Sequence, residues 1–251
     1  MQSVQPHIRI GTHMTQARYA VLPGDPKRVG AVAHWLDRVE ELTFNREYRS
    51  IRGWIDDDVE VIVMSTGMGG ASTGIAVEEL NRLGITTLIR IGSCGALQSG
   101  IQLGDIVIAA GAVRDDGASA AYIDKGYPAI PDPELLCALM HTADELKLPW
   151  HCGRIRSHDS FYTDREEEID RYWSGKGILA ADMETSALFV IGGLRGMRTA
   201  SILNVVVEHE GDLKQGINNL VAQEDACALG EEREIRLALE VIRTDAQRLA
   251  R

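Results

Sequence analysis

The sequence has no Cys-x-x-Cys pair. Its four cysteines (Cys94, Cys137, Cys152 and Cys227) are not spaced with histidine as a metal-binding set would be. Free thiols in a reducing cytosol are the expected state, and a cytoplasmic location goes with them. Positive charge is scarce: 26 Lys and Arg stand against 37 Asp and Glu, for a net charge of -11 at pH 7. That balance argues against a nucleic-acid partner but leaves room for a small anion held by a few local arginines. The first residues, MQSVQPHIRIGTHMTQ, contain no apolar core of a signal peptide. No apolar run approaches membrane-spanning length, so no membrane partner is expected. Long linkers, internal repeats and low-complexity tracts are absent as well. A single domain over residues 1–251 is the expectation.

Two nucleotide motifs are also missing. Neither the GxGxxG dinucleotide arrangement nor the GxxxxGK[ST] phosphate loop occurs, which leaves NAD and ATP without support. No Ser/His/Asp or Cys/His signature points to a covalent nucleophile.

What is present is alternation. Short β-rich runs (YAVL 19–22, VEVIVMS 59–65, TTLIRI 86–91, GDIVIAA 104–110, ASILNVVV 200–207) are separated by helical patterns. That order predicts an α/β layered architecture. Asp25-Pro26 and Asp132-Pro133 each place an N-cap before a first-turn proline. A third helix is expected from about Ser72 or Thr73, and a fourth carrying Met183, Ala187, Ile191 and Leu194. A last helix is expected over about 231–250, with Glu231, Glu232 and Glu234 at its start complementing the helix dipole. Residues 208–230, polar and weakly periodic, are read as a mobile surface segment.

Three glycine-containing turns, PGDPKR (23–28), STGMGGAST (65–73) and GSCGAL (92–97), each follow an apolar strand. Taken singly they are ordinary strand-to-helix turns, but glycine also lets backbone N–H groups approach a ligand. Ligands in open α/β sheets collect at such strand ends. Arg28 lies one turn into a helix, and Arg90 sits mid-strand, sharing a face with Leu88 while Ile89 and Ile91 point the other way. A buried guanidinium needs an anion. An oxyanion ligand and a structural carboxylate both satisfy that need. Asp182-Met183-Glu184 follows an apolar run; such carboxylates complement a helix dipole or accept hydrogen bonds from a vicinal diol. Phe161-Tyr162 either packs inward or stacks on a base.

From PHIR (6–9) to the last helix, the chain resembles the nucleoside phosphorylase family, its uridine phosphorylase branch above all. The matching stretches are PGDPKRV, NREY (45–48), STGMGGASTGIAVEEL, LIRIGSCGAL, GDIVIAAGAVRDDGAS, DSFY and DMETSAL. The resemblance implies a three-layer α/β/α phosphorylase fold with a mixed central β-sheet. It also implies a pentosyltransferase that splits a nucleoside with phosphate into free base and ribose 1-phosphate, with no organic cofactor. By position, Gly24, Arg28, Arg90 and Ser93 would hold phosphate, and Arg46 would complete that site from a neighbouring subunit. His7 would cross the same interface to the ribose, beside Met183 and Glu184. Cys94, Gly95 and Phe161 would flank the base. A homodimer would be the active unit, within a homohexamer. A potassium ion would lie between subunits at Glu47, the Met68 carbonyl and Ser72.

The base half departs from the family pattern. Arg165 stands where uridine phosphorylases have glutamine, and Glu167 where they have arginine. Arg165 is donor-only and cannot accept from uracil N3–H. The second base-reading arginine is missing from NVVVEHEG (204–211), and Asp182 replaces a glutamate. Glu208 matches loosely the acid of purine-cleaving relatives. A purine nucleoside phosphorylase using Glu208 is therefore one alternative, and a non-catalytic nucleoside-binding protein on the same fold is another. A hydrolytic nucleosidase would have little use for the arginines. The reading requires Arg28, Arg46 and Arg90 to gather about one oxyanion; arginines pointing to separate places, or each neutralised by its own acidic neighbour, would overturn it.

Overall fold

From the N-terminus the chain runs β1 (Tyr19–Pro23), α1 (Pro26–Ala33), β2 (Arg38–Asn45), β3 (Tyr48–Ile55), β4 (Val59–Met64), α2 (Gly70–Arg82), β5 (Thr87–Ala96), β6 (Ile106–Asp115) and α3 (Gly117–Tyr122). It continues through α4 (Pro133–Glu145), β7 (Trp150–His158), α5 (Glu166–Ser174), β8 (Ala180–Asp182), α6 (Thr185–Leu194), β9 (Arg198–Val207), α7 (Leu213–Val221) and α8 (Asp225–Leu249). The computed structural model describes residues 4–222 and 225–250.

Strand alternation builds the layers. Ala20, Leu22, Ile62, Met64, Leu88 and Leu203 face one hydrophobic cluster, with α2 and α6 packed over it. Their neighbours Tyr19, Val21, Val61, Val63, Ile89 and Ile202 face the opposite cluster, covered by α1, α4 and α8. Each such Leu, Ile or Val removed from water contributes about 1.5–3 kcal/mol. The result is the expected three-layer α/β/α arrangement. Its sheet is mixed, in the order β2-β3-β4-β1-β5-β8-β7-β6-β9. Because β5 pairs with β9 as well as β8, the strands β5, β8, β7, β6 and β9 close on themselves.

The two Asp-Pro helix starts form as the sequence suggests. Asp25 Oδ1 accepts from Lys27 N at 2.8 Å and Asp132 Oδ1 from Leu135 N at 2.9 Å. The turns after β1 and β4 are stitched together, Thr66 N to Pro23 O at 2.9 Å and Gly67 N to Gly24 O at 3.0 Å. Two glycine turns are thereby held side by side at the C-terminal ends of parallel strands.

Several sequence expectations need correction. Residues 208–230 are not simply a surface segment: they contain α7 and the first turn of α8, where Cys227 packs against Val206 and Val207. Met183 precedes α6 instead of belonging to it, with Glu184 at the N-cap. The charged run after Tyr162 contains α5, which has no buried residue. The hairpin β2–β3 gave no clear signal, since most of β2 is exposed. Among the described residues, no helix is long and apolar enough to cross a membrane.

Candidate functional site

The C-terminal ends of β1, β4, β5 and β9, together with β8 and α5, enclose one cavity of about 1900 Å³. Of the residues singled out in the sequence, Gly24, Arg28, Arg90, Ser93, Cys94 and Gly95 lie on its wall. So do Met183, Glu184, Phe161, Glu167, Glu208, Glu47 and Met68. These positions are far apart in the chain and are brought together by the parallel pairing of β5 with β1 and β9.

Arg90 is buried at the cavity floor. Its Nε donates to Asp182 Oδ2 at 3.1 Å and its Nη2 to Glu184 Oε2 at 2.5 Å. Burial alone would pull this guanidinium down, yet Glu184 and Asp182 hold it above its ordinary value. Asp182 is fixed in turn by Ser157 Oγ (2.5 Å), Thr185 N (3.0 Å) and Thr185 Oγ1 (2.6 Å), which ties β7, β8 and α6 to the arginine. Gly92 leaves room for the fork, because a Cβ there would run into the Arg90 guanidinium.

Glu184 bridges two elements. Besides Arg90 it accepts from Gly69 N at 2.5 Å, at the start of α2, where Gly69 adopts φ 93°. A side-chain residue would rarely take that angle. Burial raises the Glu184 carboxyl above its usual range, Arg90 opposes the shift and Asp182 reinforces it.

Arg28, also buried, is paired with α8: Nε lies 3.2 Å from Glu231 Oε2 and Nη1 lies 3.2 Å from Glu234 Oε1. Thus Arg28 and Arg90 do share one cavity, but each already has carboxylate partners. The sequence reading required arginines without acidic neighbours of their own, and these two have them. The pairs engage Nε and one Nη of each fork, leaving further N–H donors on each guanidinium for an anion. Glu231 and Glu234 were missed as site residues and read only as dipole partners. The signal was available: they lie three apart, on the helix face that buries Ile235 and Ala238.

Four expected residues lie off this chain's cavity wall. Arg46 is exposed at the tip of the β2–β3 hairpin with φ 55°, an uncommon angle for a side-chain residue. His7 is tied to Glu79, Nδ1 to Oε1 at 2.6 Å. Ser72 donates to the Met68 carbonyl at 3.2 Å. Arg165, expected at the base, caps α5 and folds back on Glu168 at 2.8 Å in an exposed pair. Its fork is satisfied within its own helical turn.

The side of the cavity formed by α5 and the segment after β9 is otherwise rich in ionisable groups. Glu208 lines the cavity and accepts from Leu103 N at 3.2 Å. Asp170 of α5 is pushed up by burial, against the pull of Arg156, His158 and His209. His158 is pulled down by burial and by Arg156, so the neutral imidazole is favoured. Phe161 meets Tyr162 edge to face, with ring centroids 5.0 Å apart.

Comparison with known proteins places this site in context. The chain is 36% identical over 231 residues to a uridine phosphorylase of Thermococcus kodakarensis, covering 86% of this chain and 83% of that one. It is 37% identical over 212 residues to a guanosine phosphorylase of Halorubrum lacusprofundi, covering 84% and 85%. Among solved structures, a uridine phosphorylase from Vibrio fischeri complexed with 6-hydroxy-1-naphthoic acid superposes with a TM-score of 0.89 at 44% identity, covering 96% of this chain and 97% of that one. A purine nucleoside phosphorylase from Toxoplasma gondii in complex with immucillin-H gives 0.85 at 31% identity, with 96% of both chains covered. The family model described as the Phosphorylase superfamily matches residues 18–243, and the chain belongs to that superfamily.

Proposed function

We infer that this protein is a nucleoside phosphorylase of the uridine phosphorylase type. As a pentosyltransferase it uses inorganic phosphate to cleave the N-glycosidic bond of a nucleoside, giving free base and ribose 1-phosphate. The observation that carries the reading is the meeting of Arg28, Arg90 and Ser93 on one cavity floor with Glu184 beside them. Glycosidic cleavage passes through an oxocarbenium-like state. Phosphate set below the anomeric carbon is nucleophile and counter-charge together, and the arginines fix its place. Gly24 and the Ser93 hydroxyl complete the anion shell, while Met183 and Glu184 hold the sugar. Cys94, Gly95 and Phe161 flank the base. Burial pushes the Cys94 thiol well up, so it serves as a neutral wall and not as a nucleophile.

Arg46 and His7 reach a site only if a second copy of the chain supplies them, which supports a homodimer as active unit; a homohexamer of such dimers belongs to the same proposal. Glu47, the Met68 carbonyl and Ser72 offer a carboxylate, a carbonyl and a hydroxyl around Gly67, an oxygen set suited to a hard cation such as potassium. One chain gives too few donors for a full shell, so the ion would sit between subunits. A single domain in the cytoplasm completes the proposal.

The base is tested directly. Pyrimidine and purine nucleosides incubated with and without phosphate should release ribose 1-phosphate only when phosphate is present. Equal base release without phosphate would make the protein a hydrolase, and binding without turnover a nucleoside-binding protein. A second reading, purine cleavage with Glu208 as the acid, is favoured by the place of Glu208 on the cavity wall. It requires Glu208→Ala to lose purine turnover while phosphate binding persists.

A smaller variant checks the anion floor. Gly92→Ala should displace the Arg90 fork and raise KM for phosphate by about tenfold or more, since small misplacements near the reacting atoms are costly. Circular dichroism should be unchanged. A KM equal to that of the parent would mean that the fork does not depend on this glycine.

A further inference from the structure

Helix α8 places two acids beneath the proposed phosphate site, and they differ. Glu231 reaches the cavity wall, whereas Glu234 is fully buried behind Arg28. Glu234 Oε1 meets Arg28 Nη1 and the Gly92 N–H also bears on the carboxyl, but Oε2 is a buried oxygen with no partner in hydrogen-bond geometry among the described residues. A charged oxygen left in that state is costly; a proton on the carboxyl removes the charge.

The charges around it sharpen the point. Arg28 faces Glu234 from α1, Arg90 and the Cys94 thiol from β5, and Glu231 from its own helix. Behind Arg90 stand Asp182 of β8 and Glu184 at the N-cap of α6. Two guanidinium groups therefore meet four carboxyl groups, so a fully ionised floor would carry a net charge of -2 before any anion arrived. Such a floor repels phosphate. Protonating the most buried acid relieves it. Burial pushes the Glu234 carboxyl from 4.5 up to about 8, with Arg28, Arg90 and the Gly92 N–H pulling down and Glu231 adding to the rise.

We propose that Glu234 is a positioning residue of the phosphate subsite: protonated, it leaves the charge of Arg28 free for phosphate, and ionised, it draws that arginine back. The inference rests on Arg28 belonging to the phosphate site, so the experiment separates the two claims. KM for phosphate and kcat are measured from about pH 6.5 to 9.5 on the parent, Glu234→Gln, Arg28→Ala and Glu232→Gln, an exposed control on the same helix. Arg28→Ala should raise KM at every pH; an unchanged KM would overturn the site reading and this inference with it. In the parent and in Glu232→Gln, KM should climb above about pH 8, approaching about tenfold per pH unit. In Glu234→Gln it should stay flat across the same range. A rising profile in Glu234→Gln identical to that of the parent, alongside a raised KM in Arg28→Ala, overturns this inference alone.

A readout on the unmodified chain does not depend on the variant folding. Calorimetric titration of phosphate at about pH 8.5 in two buffers of different ionisation heat should report proton uptake by the protein. No uptake overturns the proposal.

Discussion

Arg90→Lys is expected to lower kcat/KM for phosphate by about 10²–10³, equivalent to about 2.7–4 kcal/mol of transition-state stabilisation, while the protein stays folded. Lysine keeps the charge but has no fork. It can satisfy Asp182 or Glu184, not both at the 3.1 Å and 2.5 Å contacts that Arg90 makes together. Arg90→Met separates fold from function in the other direction. It strands two buried carboxylates, and breaking a buried pair from one side costs about 3–5 kcal/mol. A clear fall in melting temperature is therefore expected for the methionine variant and a small one for the lysine variant. Steady-state kinetics at varied phosphate, with thermal melts of both proteins, supply the check. An Arg90→Lys enzyme within threefold of the parent, where about 10²-fold or more is expected, would remove Arg90 from the anion site.

The carboxylates on Arg28 and Arg90 do not make an anion site impossible, because a guanidinium shared with acids is still fixed in place. Preorganised donors serve a developing charge without reorganising when it appears. What the partners do change is the charge balance. On the proposal above, that makes the protonation of Glu234 a condition for binding phosphate. The same shift at Glu234 has a consequence for stability. The unfolded chain releases this proton near 4.5 and the folded chain near 8, so the native state binds the extra proton between them. Stability drawn from this group falls as pH rises through that window and is level above it.

How much of this was legible in the sequence depends on whether a residue's role is local. Leu88 and Ile89 declare opposite faces by alternation alone, and both Asp-Pro steps start helices with their own side chains as caps. Strand β2 is a strand only because β3 pairs with it, from Arg38 opposite Trp54 to Asn45 opposite Tyr48; its own exposed, charged residues carry no period. Strand β8 has three residues, too few for any pattern. Helix α5 hides in a run of acids with no buried residue to mark a face. In the site, the glycine turns and Arg28 and Arg90 could be picked out by residue type. Their carboxylate partners could not, because the Arg28–Glu234 contact spans 206 positions and exists only after α8 docks on the sheet. Arg165 pairs locally instead, with Glu168 three residues on.

Glu184→Gln is expected to reduce kcat/KM for ribonucleosides by about 10³, through the loss of two charge-assisted hydrogen bonds of about 1.5–3 kcal/mol each. The count of acceptor sites explains the size. An ionised carboxylate offers about four lone-pair sites. The Gly69 N–H takes one at Oε1 and Arg90 Nη2 takes one at Oε2, both at 2.5 Å. The Met183 N–H also bears on this carboxylate, and the remaining acceptor capacity faces the hydroxyls of a ribose. Glutamine keeps one oxygen and presents an NH₂ group, which must face either the Gly69 N–H or the Arg90 fork, donor against donor. The variant therefore loses sugar contacts and loosens Arg90 as well, so both nucleoside and phosphate parameters should suffer. The sharper readout is discrimination. The parent should prefer a ribonucleoside over its 2′-deoxy counterpart by about 10- to 150-fold, the equivalent of one such hydrogen bond. In Glu184→Gln the ratio should shrink to within about threefold, because the hydroxyl being read has lost its acceptor. A ratio that survives the substitution intact would place the sugar against some other group, and the bridge from Gly69 to Arg90 would then be structural only.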